Sequence, residues 1–115
     1  MVDVYAEFAA LVRALEEASI EYAICGALAL AVHGAPRATK DIDLIAKRED
    51  EARIRSVATK TGFTFEALPM ELAGSGIAVQ RFAKLIDGRA QMLDVLWLIP
   101  KLQPIWELLK ALFQG

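Results

Sequence analysis

The chain reads as an α/β protein of the α+β kind: a mixed β-sheet flanked by helices, forming one minimal domain over residues 1–115. Three observations predict it. Helical and strand-like patterns alternate along the first half, and two long apolar runs flank Asp87-Gly88, the two-residue signal of a β-hairpin. With 115 residues, 56% of them apolar, the chain is long enough for one genuine core and too short for two.

Each element follows in order. Val4, Phe8, Leu11, Leu15 and Ala18 recur at helical spacing, with Glu7, Arg13 and Glu17 on the opposite side, which predicts an amphipathic helix. Tyr22 to Cys25 is a short apolar run that stops at Gly26, and the Ala/Leu-rich stretch from Ala27 to Val32 favours helix, so the pattern is strand, glycine turn, helix. Gly34 followed by Pro36 is a helix stop, which places His33 in a last helical turn as a cap rather than as a catalytic base. Asp41 to Ala46 alternates charged and apolar residues before running apolar, as a strand with one exposed end does. Glu49 and Asp50 suit the start of a second helix, with Ile54, Val57 and Ala58 as its buried stripe and Gly62 as its cap.

Phe63 to Leu68 predicts a further short strand, and Gly74-Ser75-Gly76 a flexible loop. The hairpin arms are Ile77 to Ile86 and Ala90 to Leu98. Pro104 suits the first turn of a closing helix whose apolar side would comprise Ile105, Leu108, Leu109 and Leu112. Trp97 and Trp106 are expected in the core or at an interface.

Composition narrows the function. Fifteen acids against thirteen bases leave a net charge of −2, so there is no global positive field for nucleic acid. Apolar runs such as Ala27 to Val32 and Val95 to Ile99 are far shorter than the roughly 18 residues of a membrane span, and the acidic N-terminal segment is unlike a signal peptide. A cytoplasmic protein without membrane partners is expected. Cys25 is the single cysteine, and with one histidine the chain lacks a usual zinc set; no Ser/His/Asp triad or Walker loop is evident.

The chemistry concentrates between Ile24 and Ile45. Asp41 and Asp43 lie two apart on a predicted strand, so both carboxylates emerge on one face while Ile42 and Leu44 point inward. A divalent cation relieves the repulsion of such a pair, and magnesium, which takes one or two carboxylates and completes its shell with water and phosphate oxygens, suits it best. Backbone N–H groups of Gly26, Ala27 and Leu28 at the strand-to-helix turn could meet a phosphate. Arg37 and Lys40 bring positive charge near the acids, as phosphate contacts or as solvated surface. Asp94 interrupts the apolar stretch from Met92 to Leu98, where a charge is costly unless a salt bridge or a metal compensates it.

The run Gly-Ala-x-Ala-x-x-x-His-Gly-x-x-Arg-x-Thr-x-Asp-Ile-Asp-Leu from Gly26 to Leu44 resembles the signature of the nucleotidyltransferase superfamily that includes DNA polymerase beta. Within it, the run is similar to AbiEii-type nucleotidyltransferases of toxin–antitoxin and phage-defence systems. The resemblance implies that Asp41 and Asp43 hold two Mg2+ ions, with Mn2+ as a substitute, that bind a nucleoside triphosphate. Asp94 would bind one ion and help activate an acceptor hydroxyl, and Gly26 and Ala27 would cradle the phosphates. Ala27 stands where many relatives carry serine, so no hydroxyl contact is available there.

The implied reaction transfers a nucleoside monophosphate to a hydroxyl of RNA, such as a tRNA end, or of a protein. A catalytically inactive nucleotide-binding or regulatory protein of the same fold is the alternative. A homodimer or an operonic partner is expected, because a core this short and this apolar leaves hydrophobic surface to cover.

Overall fold

The computed structural model describes residues 4–25 and 41–113. The expected helix over 27–32, His33 and the candidate phosphate contacts Gly26, Ala27, Arg37 and Lys40 lie outside the described residues. The elements are α1 (Val4–Glu17), β1 (Tyr22–Cys25), β2 (Asp41–Ala46), a 3-10 turn (Arg48–Asp50), α2 (Glu51–Lys60), β3 (Phe65–Glu66), β4 (Met70–Glu71), β5 (Ala78–Ile86), β6 (Arg89–Trp97), a second 3-10 turn (Pro100–Leu102) and α3 (Gln103–Phe113).

The strands form one six-stranded sheet in the order β1-β2-β6-β5-β3, with β4 also pairing β5. The sheet is mixed, as expected: β2 and β6 run parallel, and the other pairs are antiparallel. One face buries the main core. There Leu11 and Leu15 of α1 and Ile54, Val57 and Ala58 of α2 pack with Ile42, Leu44, Phe82, Leu93, Val95 and Trp97 from the sheet. The stripes read from helical spacing in α1 and α2 are thus the ones that dock, because apolar area removed from water drives the packing.

Helix α1 ends without a glycine: Ser19 takes the left-handed cap position. The Ile20 N–H donates to the Leu15 carbonyl and the Ser19 N–H to that of Glu16, a Schellman closure with Ser19 at a φ of 56°. A left-handed serine is costly relative to glycine. Ser19→Gly should therefore stabilise the fold by roughly 0.5–1 kcal/mol, raising the melting temperature by about 4 °C. Thermal melts check this, and a lower melting temperature would contradict it.

Two sequence expectations need correction. The strand expected from Phe63 to Leu68 is cut to Phe65–Glu66, because Phe63 is buried in the core under the cap of α2 and its N–H bonds the Ala58 carbonyl. Pairing resumes at Met70–Glu71 one register later, since Phe65 faces Ala83 while Met70 faces Val79. One residue too many between the two pairings makes a bulge that contains Pro69, which has no N–H to give to a ladder. The Gln80 side-chain amide donates to the Ala67 carbonyl at 2.8 Å and fixes the break.

The second correction concerns α3. Trp106 and Leu109 face the sheet, where they pack with Ala23, Ile45, Leu96 and Leu98, while Ile105, Leu108 and Leu112 are exposed. The helix carries two apolar sides, and the larger aromatic surface is the one that docks. Gly74-Ser75-Gly76 forms an ordered turn between β4 and β5, with both glycines at positive φ and the Ser75 N–H bonded to the Leu72 carbonyl.

Candidate active site

The second sheet face is split between apolar and acidic halves. Alternation along β2 sends Ile42, Leu44 and Ala46 into the main core and leaves Asp41, Asp43 and Ile45 on the opposite face. Ile45 disappears beneath α3, whereas Asp41 and Asp43 lie beyond it and stay half-buried. Parallel pairing sets Asp43 beside Asp94 of β6, and antiparallel pairing sets Asp94 beside Arg81 of β5. Cys25 of β1 pairs with Asp43 from the other side. Four neighbouring strands therefore carry Cys25, Asp43, Asp94 and Arg81 in one row, with Asp41 two residues before Asp43.

Crowding marks this row electrostatically. Burial, followed by the neighbouring Asp94 and Asp41 carboxylates, pushes the Asp43 carboxyl up to about 6, against a smaller opposing pull from Arg81. Burial also pushes the Cys25 thiol up to about 12, with Asp43 and Asp94 adding to the effect. A thiol held that high stays protonated at neutral pH and is no nucleophile.

Asp94 is buried, with 8% of its surface exposed, and its charge is compensated. Arg81 grips it with a two-pronged fork: Nε donates to Oδ1 at 2.7 Å and Nη2 to Oδ2 at 2.9 Å. The same fork holds the guanidinium protonated, its pKa raised above the ordinary arginine value. Arg81 was missed in the sequence. The signal was present: a two-residue Asp87-Gly88 turn sets the register of its arms, and counting back from it places Arg81 opposite Asp94. Both turn residues have positive φ, the geometry of a type I′ hairpin.

The donor set can be tested against a divalent cation. An Asp43 carboxylate disfavoured by burial and by two neighbouring carboxylates is the environment a hard cation neutralises. Among the described residues, no three His, Cys, Asp or Glu side chains already converge as a metal cage. Arg81 also engages both oxygens of Asp94. The arrangement thus fits an ion held chiefly by Asp41 and Asp43, with water and phosphate oxygens completing the shell, as magnesium prefers.

Comparison with known proteins places this chain in a family. The solved structure of a candidate nucleotidyltransferase from Thermotoga maritima superposes with a TM-score of 0.59 at 17% sequence identity, over 82% of this chain and 55% of that one. At that identity the likeness shows the fold, a nucleotidyltransferase fold, and the chain spans about half the length of that protein. No curated protein sequence matches the chain. The matches support the nucleotidyltransferase superfamily without reaching the AbiEii-type subgroup. The sequence profile described as aminoglycoside-2''-adenylyltransferase matches residues 7–91, a stretch that includes Asp41, Asp43 and Arg81 and stops short of Asp94. On that match, which covers most of its length, the chain belongs to the aminoglycoside-2''-adenylyltransferase family.

Proposed function

We propose that the chain is a metal-dependent nucleotidyltransferase core that moves a nucleoside monophosphate from a nucleoside triphosphate to a hydroxyl acceptor and releases pyrophosphate. The observation that carries this reading is the single acidic row built by β2 and β6, Asp43 beside Asp94 with Asp41 two residues away, in a chain of this family. Bound Mg2+, or Mn2+ in its place, would neutralise the triphosphate and stabilise the attacking and leaving oxygens of an in-line displacement. Asp41 and Asp43 are the residues that would chiefly hold it, with Asp94 as the expected third ligand. Asp94, fixed on a rigid central strand, would orient the acceptor hydroxyl and take up its proton. Gly26, Ala27, Arg37 and Lys40 remain the expected phosphate contacts.

The family's description favours an aminoglycoside as acceptor, and a polycationic amino sugar is complementary to an acidic face on a chain of net charge −2. The spacing from Gly26 to Leu44 favours a second reading, a cytoplasmic toxin–antitoxin or defence enzyme that modifies a tRNA end or a protein. For the expected second copy or operonic partner, exposed Ile105, Leu108 and Leu112 on α3 offer apolar surface.

Incubation with alpha-labelled triphosphates, Mg2+ and, separately, aminoglycosides, total RNA and cell protein separates these acceptors. Label on the aminoglycoside is the expected result. Triphosphate- and Mg2+-dependent thermal stabilisation without transfer to any acceptor would identify an inactive nucleotide-binding protein instead. Absence of both stabilisation and transfer would overturn the proposal.

A further inference from the structure

Asp94 stands between opposite influences: Asp43 is its lateral neighbour on β2 and Arg81 its lateral neighbour on β5. Arg81 uses two donors on two separate carboxylate oxygens, leaving neither oxygen without a cationic partner. The two side chains differ in access, with 37% of the Arg81 side chain exposed against 11% of that of Asp94. The arginine therefore reaches the carboxylate from the solvent side, on a long flexible stem that has water to swing into.

We propose that Arg81 is a placeholder cation: it occupies Asp94 in the metal-free protein and gives up at least one carboxylate oxygen when a divalent ion binds beside Asp41 and Asp43. The inference rests on the metal-dependent reading above. It assigns Arg81 a positioning role, because it acts through Asp94. Without the arginine, the buried Asp94 would face Asp43 as an unpaired like charge in the metal-free protein. With it, the fold tolerates an empty site, at the expense of competition with the incoming ion for the same oxygens. A permanent support for Asp94 would have the opposite signature, since removing a support loosens a ligand and weakens binding.

The test is a titration of the full chain with Mn2+ alone at neutral pH, followed by the electron paramagnetic resonance signal of free Mn2+. Wild type, Asp43→Ala, Arg81→Gln and Arg81→Lys are compared. Loss of one charge-assisted fork corresponds to about a tenfold tighter Kd for Arg81→Gln than for wild type. Arg81→Lys, which keeps the charge but not the fork, should fall between the two. Metal-free Arg81→Gln should also melt below wild type and gain more from Mn2+ than wild type does.

Equal or weaker Mn2+ binding by Arg81→Gln, with wild type binding and Asp43→Ala not, overturns the placeholder role alone. If Arg81→Gln does not fold, Arg81→Lys decides: tighter binding than wild type supports the proposal, and unchanged or weaker binding overturns it. Absence of Mn2+ binding in every variant and in wild type overturns the metal site and this inference together.

Discussion

Asp43→Asn should abolish nucleotidyl transfer and, in the metal-free protein at neutral pH, raise the melting temperature. The two effects have one cause. Burial first, and the neighbouring Asp94 and Asp41 carboxylates second, push the Asp43 carboxyl up to about 6 from the ordinary value of 3.8. The folded state therefore binds this proton more tightly than the unfolded chain does. Below 3.8 the carboxyl is protonated in both states and costs nothing; as pH rises through about 6 it ionises in the fold and the favourable contribution is lost.

Wild type should accordingly lose stability between these pH values in the presence of a chelator, and Asp43→Asn should flatten that part of the profile. Because the side chain is half exposed, solvent screening limits the gain to a few degrees, on the order of 1 kcal/mol. Loss of transfer should exceed the roughly 10–100-fold that follows removal of an outer-shell metal partner, since Asp43 is proposed to touch the ion itself. Thermal melts from pH 4 to 8 alongside transfer assays provide the check. A variant with unchanged pH dependence, or with transfer intact, would contradict the assignment.

The largest structural effect is expected at Trp106. Trp106 is buried, with 4% of its surface exposed, and it carries α3 onto Ala23 and Ile45 with Leu109 beside it. The Lys110 ammonium lies over the ring, 5.3 Å from its centroid. Trp106→Ala should cost roughly 3–5 kcal/mol by opening this second, smaller core, whose sheet residues belong to the strands that carry the acidic row. Leu108→Ala, on the exposed side of the same helix, should stay within about 0.5 kcal/mol. Urea unfolding of the two variants measures the contrast. Equal costs would mean that α3 docks through the face read from helical spacing rather than through its tryptophan.

Why some features were legible and others not has a physical basis in each case. The stripes of α1 and α2 were readable because each of those helices has one apolar side to bury. In α3 apolar residues surround much of the helix, so periodicity alone could not choose between the Ile105/Leu108/Leu112 side and the Trp106/Leu109 side. The common face of Asp41 and Asp43 followed from the two-residue repeat of a strand, and Asp94 stood out because a charge among buried apolar neighbours demands a partner. What remained invisible was which strands lie side by side. That β2 and β6 pair in parallel, setting Asp43 against Asp94, is a long-range fact that local pattern does not encode. The Arg81 partner was encoded locally, through the register of the hairpin, and only needed counting. The bulge at Pro69 was equally local, since proline cannot donate to a ladder.

The parallel β2/β6 pair also bears on when the chain becomes functional. Asp41 and Asp43 arise early in the chain and Asp94 late, and the ladder that brings them together joins the β1-β2 hairpin-like pair to the β5-β6 hairpin. Local hairpins can form within themselves, whereas this join closes a long loop and belongs to the slow, non-local part of folding. The acidic row is then a product of non-local pairing. A chain whose synthesis has not yet passed β6 carries Asp41 and Asp43 without Asp94, so the row is complete only once both sequence-distant strands are made and paired.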